Sequence, residues 1–77
     1  MKTAREMFEE LGYESSADDY YIECSYDDKN EGYWKRISFD LREKTFDAVD
    51  TYDAMNIDIP TFKAIQKQLE ELGWLYE

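Results

Sequence analysis

The sequence predicts a small α+β domain with the order α-β-β-β-α, in which both helices cover one face of a three-stranded antiparallel sheet. Three observations predict it. Apolar residues recur at helical spacing near each end of the chain, apolar and polar residues alternate between them, and a glycine follows each helical segment. A chain of 77 residues has room for one domain, over residues 1–77, close to the size limit for an unaided core.

The first helix is predicted over residues 3–11. Thr3 is a suitable N-cap, and Glu6, three residues later, completes a capping box. Gly12 is suited to the left-handed position that ends the helix. One apolar stripe with helical spacing is formed by Ala4, Met7, Phe8 and Leu11.

The second helix is predicted over residues 58–72. Asp58 is the expected N-cap, and Pro60 lies in the first turn, where its missing N–H is not needed. Gly73 ends the helix. The predicted apolar stripe consists of Phe62, Ile65, Leu69 and Leu72.

Two similar pentapeptides, EELGY at residues 9–13 and EELGW at residues 70–74, close these helices. In each, the glycine supplies the positive φ of a Schellman cap and the following aromatic residue packs back onto the helix. We interpret the repetition as one capping device used twice and not as a duplicated unit. The caps predict two contacts, between Tyr13 and Phe8 and between Trp74 and Leu69.

Three strands are predicted between the helices, over residues 20–26, 33–41 and 45–52, from their alternation and from the turn residues that separate them. Pairing Tyr26 with Tyr33 brings Ile22 opposite Ile37. The same register brings opposite charges together on the other face, where Glu23 meets Arg36.

The register of the third strand is ambiguous. Pairing Leu41 with Phe46 leaves Ile37 opposite Asp50, and a shift of one residue buries Val49 but exposes Phe46. A bulge within residues 46–50 would reconcile the two pairings.

Composition excludes several functions. A net charge of −10 disfavours direct binding to nucleic acid or to anionic membranes, because both require basic residues. The chain has no histidine and one cysteine, Cys24, so an intramolecular disulfide is impossible, and Cys24 is expected to point into the core. No catalytic residue, cofactor or metal is predicted, and the protein is not expected to be an enzyme. The absence of a signal peptide or long apolar run predicts a cytoplasmic protein.

Two acidic patterns resemble cation sites. DDKNEG at residues 27–32 has the glycine of a calcium loop, but Lys29 and Ser38 stand where carboxylates are required, and turn chemistry favours a hairpin turn. The predicted register also sets three carboxylates side by side on the outer sheet face, where they could hold Mg²⁺ or Ca²⁺. The alternatives are a different register or neutralisation by nearby Arg42 and Lys44. These carboxylates belong to Asp19, Asp40 and Asp47.

The same face carries apolar side chains that the helices would not cover. Tyr21 and Trp34 alternate out of phase with the core residues, and one register of the third strand adds Val49 to them. Exposed aromatic residues that lie together suggest a binding surface. We therefore predict a partner surface formed by Tyr21, Trp34 and Val49.

The segments KTAREMFEELGYE (2–14) and FKAIQKQLEELGW (62–74), with a tyrosine-rich hairpin between them, resemble a family of small proteins that recur in phages and prophages of Gram-positive bacteria. No activity is assigned to that family, so the resemblance supplies no site residues. It implies a cytoplasmic accessory protein of phage origin.

Two functions of different classes remain open. The first is a protein-interaction module, whose partner is an unknown protein or a second copy of the chain, bound through the outer sheet face. The second is an acidic mimic of DNA that occupies a basic protein, which requires carboxylates in rows at phosphate-like spacing. The acidic residues available for such rows are Asp18, Asp19, Asp27, Asp28, Glu31, Asp40, Asp47, Asp50 and Asp53.

Overall fold

The computed structural model of the protein describes the backbone of residues 1–76 and the side chains of residues 1–75. Within them, two helices accompany a five-stranded antiparallel sheet in which each strand pairs with the next along the chain. The α+β class and the helix–strand order are confirmed, but the prediction of three strands is wrong. The elements are α1 (Ala4–Glu10), β1 (Glu14–Ala17), β2 (Tyr21–Asp28), β3 (Tyr33–Asp40), β4 (Thr45–Asp50), β5 (Asp53–Ala54) and α2 (Ile59–Glu71), followed by a short 3₁₀ turn at Trp74–Tyr76.

The two strands absent from the prediction lie at the sheet edges. β1 has the sequence ESSA, which has none of the apolar alternation that identifies a half-buried strand. It pairs with β2 because a tight turn folds the chain back on itself. β5 has only two residues, which pair with Val49 and Asp50 at the end of β4.

Aspartates set the turns of this sheet. The Asp18 carboxylate accepts hydrogen bonds of 2.8 Å from the backbone N–H groups of Tyr20 and Tyr21, and these bonds hold the pKa of that carboxyl below its usual value. An aspartate at the start of a turn commonly accepts such bonds. The same arrangement occurs at the next two turns, at Asp28 and Asp40, and at the following turn Asp50 accepts a bond from the Tyr52 N–H. The interpretation of DDKNEG as a hairpin turn is therefore confirmed.

The observed register of β2 and β3 differs from the predicted one by two residues. Ile22 lies opposite Phe39 and Cys24 lies opposite Ile37, whereas the sequence pattern placed Ile22 opposite Ile37. A shift of two residues returns every side chain to the same sheet face, so the predicted faces are retained. The predicted Glu23–Arg36 pairing is wrong, because Glu23 lies opposite Ser38.

The β3–β4 register is continuous from Thr45 to Asp50 and includes no bulge. Phe46 lies opposite Phe39, with ring centroids 5.8 Å apart, so it belongs to the helix-covered face. Val49 lies opposite Arg36 on the other face. The observed β3–β4 register differs by two residues from the predicted pairing of Leu41 with Phe46. It places Asp50 opposite Lys35 instead of Ile37, so the suggested bulge is unnecessary.

The core lies between one sheet face and both helices, as predicted. Its buried side chains come from the sheet, from both helices and from Tyr13, which follows the glycine that ends α1. The cluster consists of Phe8, Tyr13, Cys24, Ile37, Phe39, Ala64 and Ile65. The Cys24 thiol is buried beside the Ser15 hydroxyl, and burial raises its pKa, which agrees with the predicted core role.

The predicted apolar stripe of α2 is partly wrong. Ile65 is buried, but the Phe62 side chain is 52% exposed. The buried positions of the helix follow helical spacing with a different phase and include two polar side chains. They are Thr61, Ala64, Ile65 and Gln68. Because Thr61 and Gln68 are polar, a hydrophobicity pattern does not identify the face of α2 that contacts the core.

Both predicted glycine caps have positive φ, +93° at Gly12 and +76° at Gly73. At the end of α1 the Tyr13 N–H donates to the Phe8 carbonyl at 3.0 Å, which is the bond that defines a Schellman motif. The Tyr13 and Phe8 rings meet edge to face, with centroids 5.5 Å apart. At the other end, Trp74 packs against the core. The capping box at Thr3 and Glu6 is also present.

The carboxylate of Glu71, in the second EELG segment, has a structural partner in α1. It accepts a hydrogen bond of 2.7 Å from the backbone N–H of Ala4, which is one of the N–H groups that a helix N-terminus leaves unpaired. In the first segment, Glu10 forms an ion pair with Lys2 at 2.7 Å. Glu71 and Glu10 therefore each have a specific partner in the fold.

A lysine on the helix-covered sheet face is tolerated because tyrosine rings surround it. The Lys35 ammonium lies 4.6 Å from the centroid of Tyr26 and 5.3 Å from that of Tyr13. These distances allow a cation–π interaction. The Tyr13 hydroxyl is buried and has no hydrogen-bond partner among the described residues.

We expect Tyr13→Phe to stabilise the protein by about 1 kcal/mol, because it removes a buried hydroxyl that has no hydrogen-bond partner in the described part of the chain. Burial raises the pKa of Tyr13 from 10.0 to about 12. Since the unfolded chain loses this proton first, the stability of the parent falls as pH rises through that interval. The stability advantage of the variant should therefore widen above pH 10. Urea unfolding of both proteins at neutral and alkaline pH measures their difference in unfolding free energy. If that difference does not change with pH, the Tyr13 hydroxyl does not have the raised pKa.

Candidate functional site

The sheet face opposite the helices is the candidate site, and we call it the outer face. It presents alternate side chains of β2, β3 and β4, and all three residues of the predicted partner surface lie on it. The Tyr21 side chain is 44% exposed and that of Trp34 is 39% exposed. Val49 is half-buried. Strand alternation was sufficient to place Tyr21 and Trp34, because the error in register did not change their faces. The face of Val49 depended on the register of the third strand, which the sequence left open.

A groove of about 480 Å³ crosses the outer face from β2 to β4. Tyr21 and Val49 line it, but Trp34 lies outside it toward the other end of β3. The structure therefore brings two of the three predicted residues into one concavity and leaves the third beside it. The full lining consists of Tyr21, Glu23, Arg36, Ser38, Asp40, Thr45, Phe46, Asp47 and Val49.

Arg36 connects the groove to Trp34. Its guanidinium carbon lies 5.5 Å from the centroid of the Trp34 ring, which is a cation–π geometry. No ion pair to Arg36 occurs among the described residues. Sequence reasoning identified Arg36 as a partner for Glu23, but in the structure its charge is directed to a ring.

The groove also contains three carboxylates. The Asp40 side chain accepts hydrogen bonds of 3.0 Å from the N–H groups of Arg42 and Glu43, so one of its oxygens serves the turn. Glu23 and Asp47 form no hydrogen bond or ion pair within the described part of the chain. With Arg36 as the one basic side chain in the lining, the groove is acidic.

The suggested row of Asp19, Asp40 and Asp47 is not formed. Asp40 lies opposite Tyr21 and Thr45, and Asp47 lies opposite Ser38. Asp19 lies in the β1–β2 turn and not on a strand. Over residues 1–76 no group of three acidic or thiol side chains is arranged to hold a metal ion.

Phe46 borders the groove on β4, although its ring lies beside Phe39 on the helix-covered face, and the predicted partner surface did not include it. Its side chain is 42% exposed although it lies opposite Phe39, because β4 lies near the sheet edge and β5 pairs only with its last residues. The sequence shows an aromatic residue at this position, but the sheet face that it occupies depends on the register of β4, which the sequence pattern left open.

No family model, curated protein or solved structure matches the chain. Within the described residues, neither helix has the length and apolarity required to cross a membrane. The side chains of the groove and of Trp34 beside it offer ring surfaces, carboxylate acceptors and one guanidinium.

Proposed function

We propose that the protein is a small acidic protein-interaction module and that the outer face is its partner surface. The observation that carries the proposal is the exposure of Tyr21 and Trp34 on a sheet face that neither helix covers. Aromatic residues next to a concavity are the usual energetic centres of protein interfaces. The groove between Tyr21 and Val49 offers a place for a partner side chain.

The alternative, an acidic mimic of DNA, receives less support from the positions of the aspartates. Four of the nine acidic residues considered for it accept backbone hydrogen bonds at turns, at Asp18, Asp28, Asp40 and Asp50. Successive turns of a meander lie at opposite ends of its sheet. This arrangement divides the carboxylates between two ends instead of lining them up, which favours the interaction module.

The resemblance of the two capped helices to small phage and prophage proteins supports a cellular context for this module. We propose that it acts in the cytoplasm as an accessory protein of phage origin. Its net charge of −10 favours a basic partner. Opposite charges accelerate association, and repulsion between like charges disfavours acidic proteins as partners.

Trp34→Ala tests the proposed surface. We expect the variant to remain folded and to lose association by a factor of 30 or more, since removing an aromatic anchor commonly costs about 2 kcal/mol of binding free energy. Circular dichroism measures folding. Sedimentation velocity measures self-association, and affinity capture from a bacterial host lysate, with the retained proteins identified by mass spectrometry, measures binding to other partners.

Phe62→Ala is the matched control. It removes an aromatic side chain that is also exposed, at 52%, but from α2 on the opposite side of the sheet. Association should survive this change. Equal loss in the two variants, or no loss in Trp34→Ala, would rule out the outer face as the partner surface. Unfolding of Trp34→Ala would show that the side chain belongs to the core.

A further inference from the structure

We propose that the groove on the outer face binds an arginine side chain presented by the partner. The inference rests on the proposed function and specifies the chemistry of that partner. The lining of the groove contains three acidic residues, Glu23, Asp40 and Asp47, and one basic residue, Arg36. A cationic group that enters it therefore meets a net negative surface.

The existing arginine does not satisfy these carboxylates. The Arg36 guanidinium lies over Trp34, and no described residue forms an ion pair with Glu23 or Asp47. Glu23 is half-buried in the sheet face. A cation of the partner can bind beside Glu23 and Asp47 without breaking an ion pair among the described residues.

The shape and walls of the groove favour a guanidinium over an ammonium. Tyr21 supplies aromatic surface in its lining, and a planar guanidinium can stack on a ring while it donates two parallel hydrogen bonds to a carboxylate. The protein already uses ring–guanidinium contacts at this sheet, where Arg42 lies 5.1 Å from the centroid of Tyr20. An ammonium gains less from such a site because it is compact and strongly hydrated.

Other occupants fit the groove less well. A second copy would bring another chain of net charge −10 against the same carboxylates, and like charges across an interface are costly. A bare divalent ion would need oxygen ligands gathered around one point, and no such group occurs within residues 1–76. At about 480 Å³, the groove lies in the size range of side-chain and small-ligand pockets.

Titration of the isotope-labelled protein with N-acetyl-arginine amide, followed by NMR, tests the proposal. The expected result is a set of amide shifts confined to the groove, centred on Tyr21, Asp47 and Val49. N-acetyl-lysine amide should bind several-fold more weakly, about 3- to 10-fold, because it lacks the planar fork. N-acetyl-citrulline amide, which has nearly the same shape without the charge, should cause no saturable shift.

Two charge-neutralising variants locate the site. Glu23→Gln and Asp47→Asn should each weaken binding of the arginine probe by about 3- to 10-fold. Glu43→Gln changes the net charge equally but alters an exposed turn residue outside the lining, and it should leave the affinity within about 2-fold. The dispersion of amide signals in the same spectra reports whether each variant is folded.

Shifts spread over all acidic segments, equal binding of the lysine probe, or an equal effect of Glu43→Gln would overturn the arginine site. This failure is distinct from failure of the proposed function. If Trp34→Ala abolishes association while the arginine probe does not bind in the groove, the interaction surface stands and the arginine inference fails. If the probe binds as expected while Trp34→Ala changes nothing, the binding site stands and its use as the partner surface fails.

Discussion

Phe8→Ala is expected to lower the unfolding free energy by about 3–5 kcal/mol, which for so small a domain is a large share of the total. Phe8 is completely buried. Its ring meets Tyr13 edge to face, and its centroid lies 6.4 Å from that of Phe39 on the sheet. Removal of the ring leaves a cavity at the point where α1, its C-cap and β3 meet.

Phe62→Ala is the control for this experiment, because it deletes the same atoms from a helix position that is half exposed. We expect it to cost less than about 0.5 kcal/mol, the usual effect of a surface substitution. Urea unfolding followed by circular dichroism measures both variants. Similar losses for Phe8 and Phe62 would mean that the phase of α2 has been assigned incorrectly.

Gly12→Ala is expected to cost about 2 kcal/mol and Gly73→Ala about 1 kcal/mol. Both positions have positive φ, where a Cβ is strained by roughly 1–2 kcal/mol. Sequence reasoning treats the two caps alike, but their surroundings differ. A Cβ at Gly12 would lie 3.2 Å from the Tyr26 ring, whereas one at Gly73 meets nothing within 4 Å.

The Tyr26 ring cannot move freely to admit that Cβ, because it also packs near Tyr13 and beneath the Lys35 ammonium. The difference between the two variants therefore measures this contact separately from backbone strain. Thermal and urea unfolding of the two single variants provide the comparison. Equal losses would show that the Tyr26 ring yields without cost, and no loss in either would contradict the left-handed caps.

The features that sequence reasoning recovered are the local ones. The capping box of Thr3 and Glu6 and the cap at Gly12 and Tyr13 are each completed within a few consecutive residues, so their chemistry is visible in the letters alone. The division of strand residues between two faces is equally local, because it depends only on alternation. For this reason the sequence alone places Tyr21 and Trp34 on the outer face.

Registers, edge strands and contacts between distant segments were not recoverable in the same way. Two registers that differ by two residues satisfy the same alternation, so the pattern could not choose between Ile22–Ile37 and Ile22–Phe39. β1 has no apolar pattern of its own and exists because β2 offers it a partner. The hydrogen bond from Ala4 to Glu71 joins residues that are 67 positions apart.

The sequence by itself determined the α+β class, both helix caps, the DDKNEG turn and the faces of the two central strands, since each depends on interactions between neighbouring residues. Tertiary structure decided the pairing of the strands, the phase of α2 and the shape of the groove. Those features depend on which of several locally equivalent arrangements packs best around Phe8 and Phe39. The candidate arginine site belongs to this second class, because it forms only when three strands bring Glu23, Asp40 and Asp47 to one concavity.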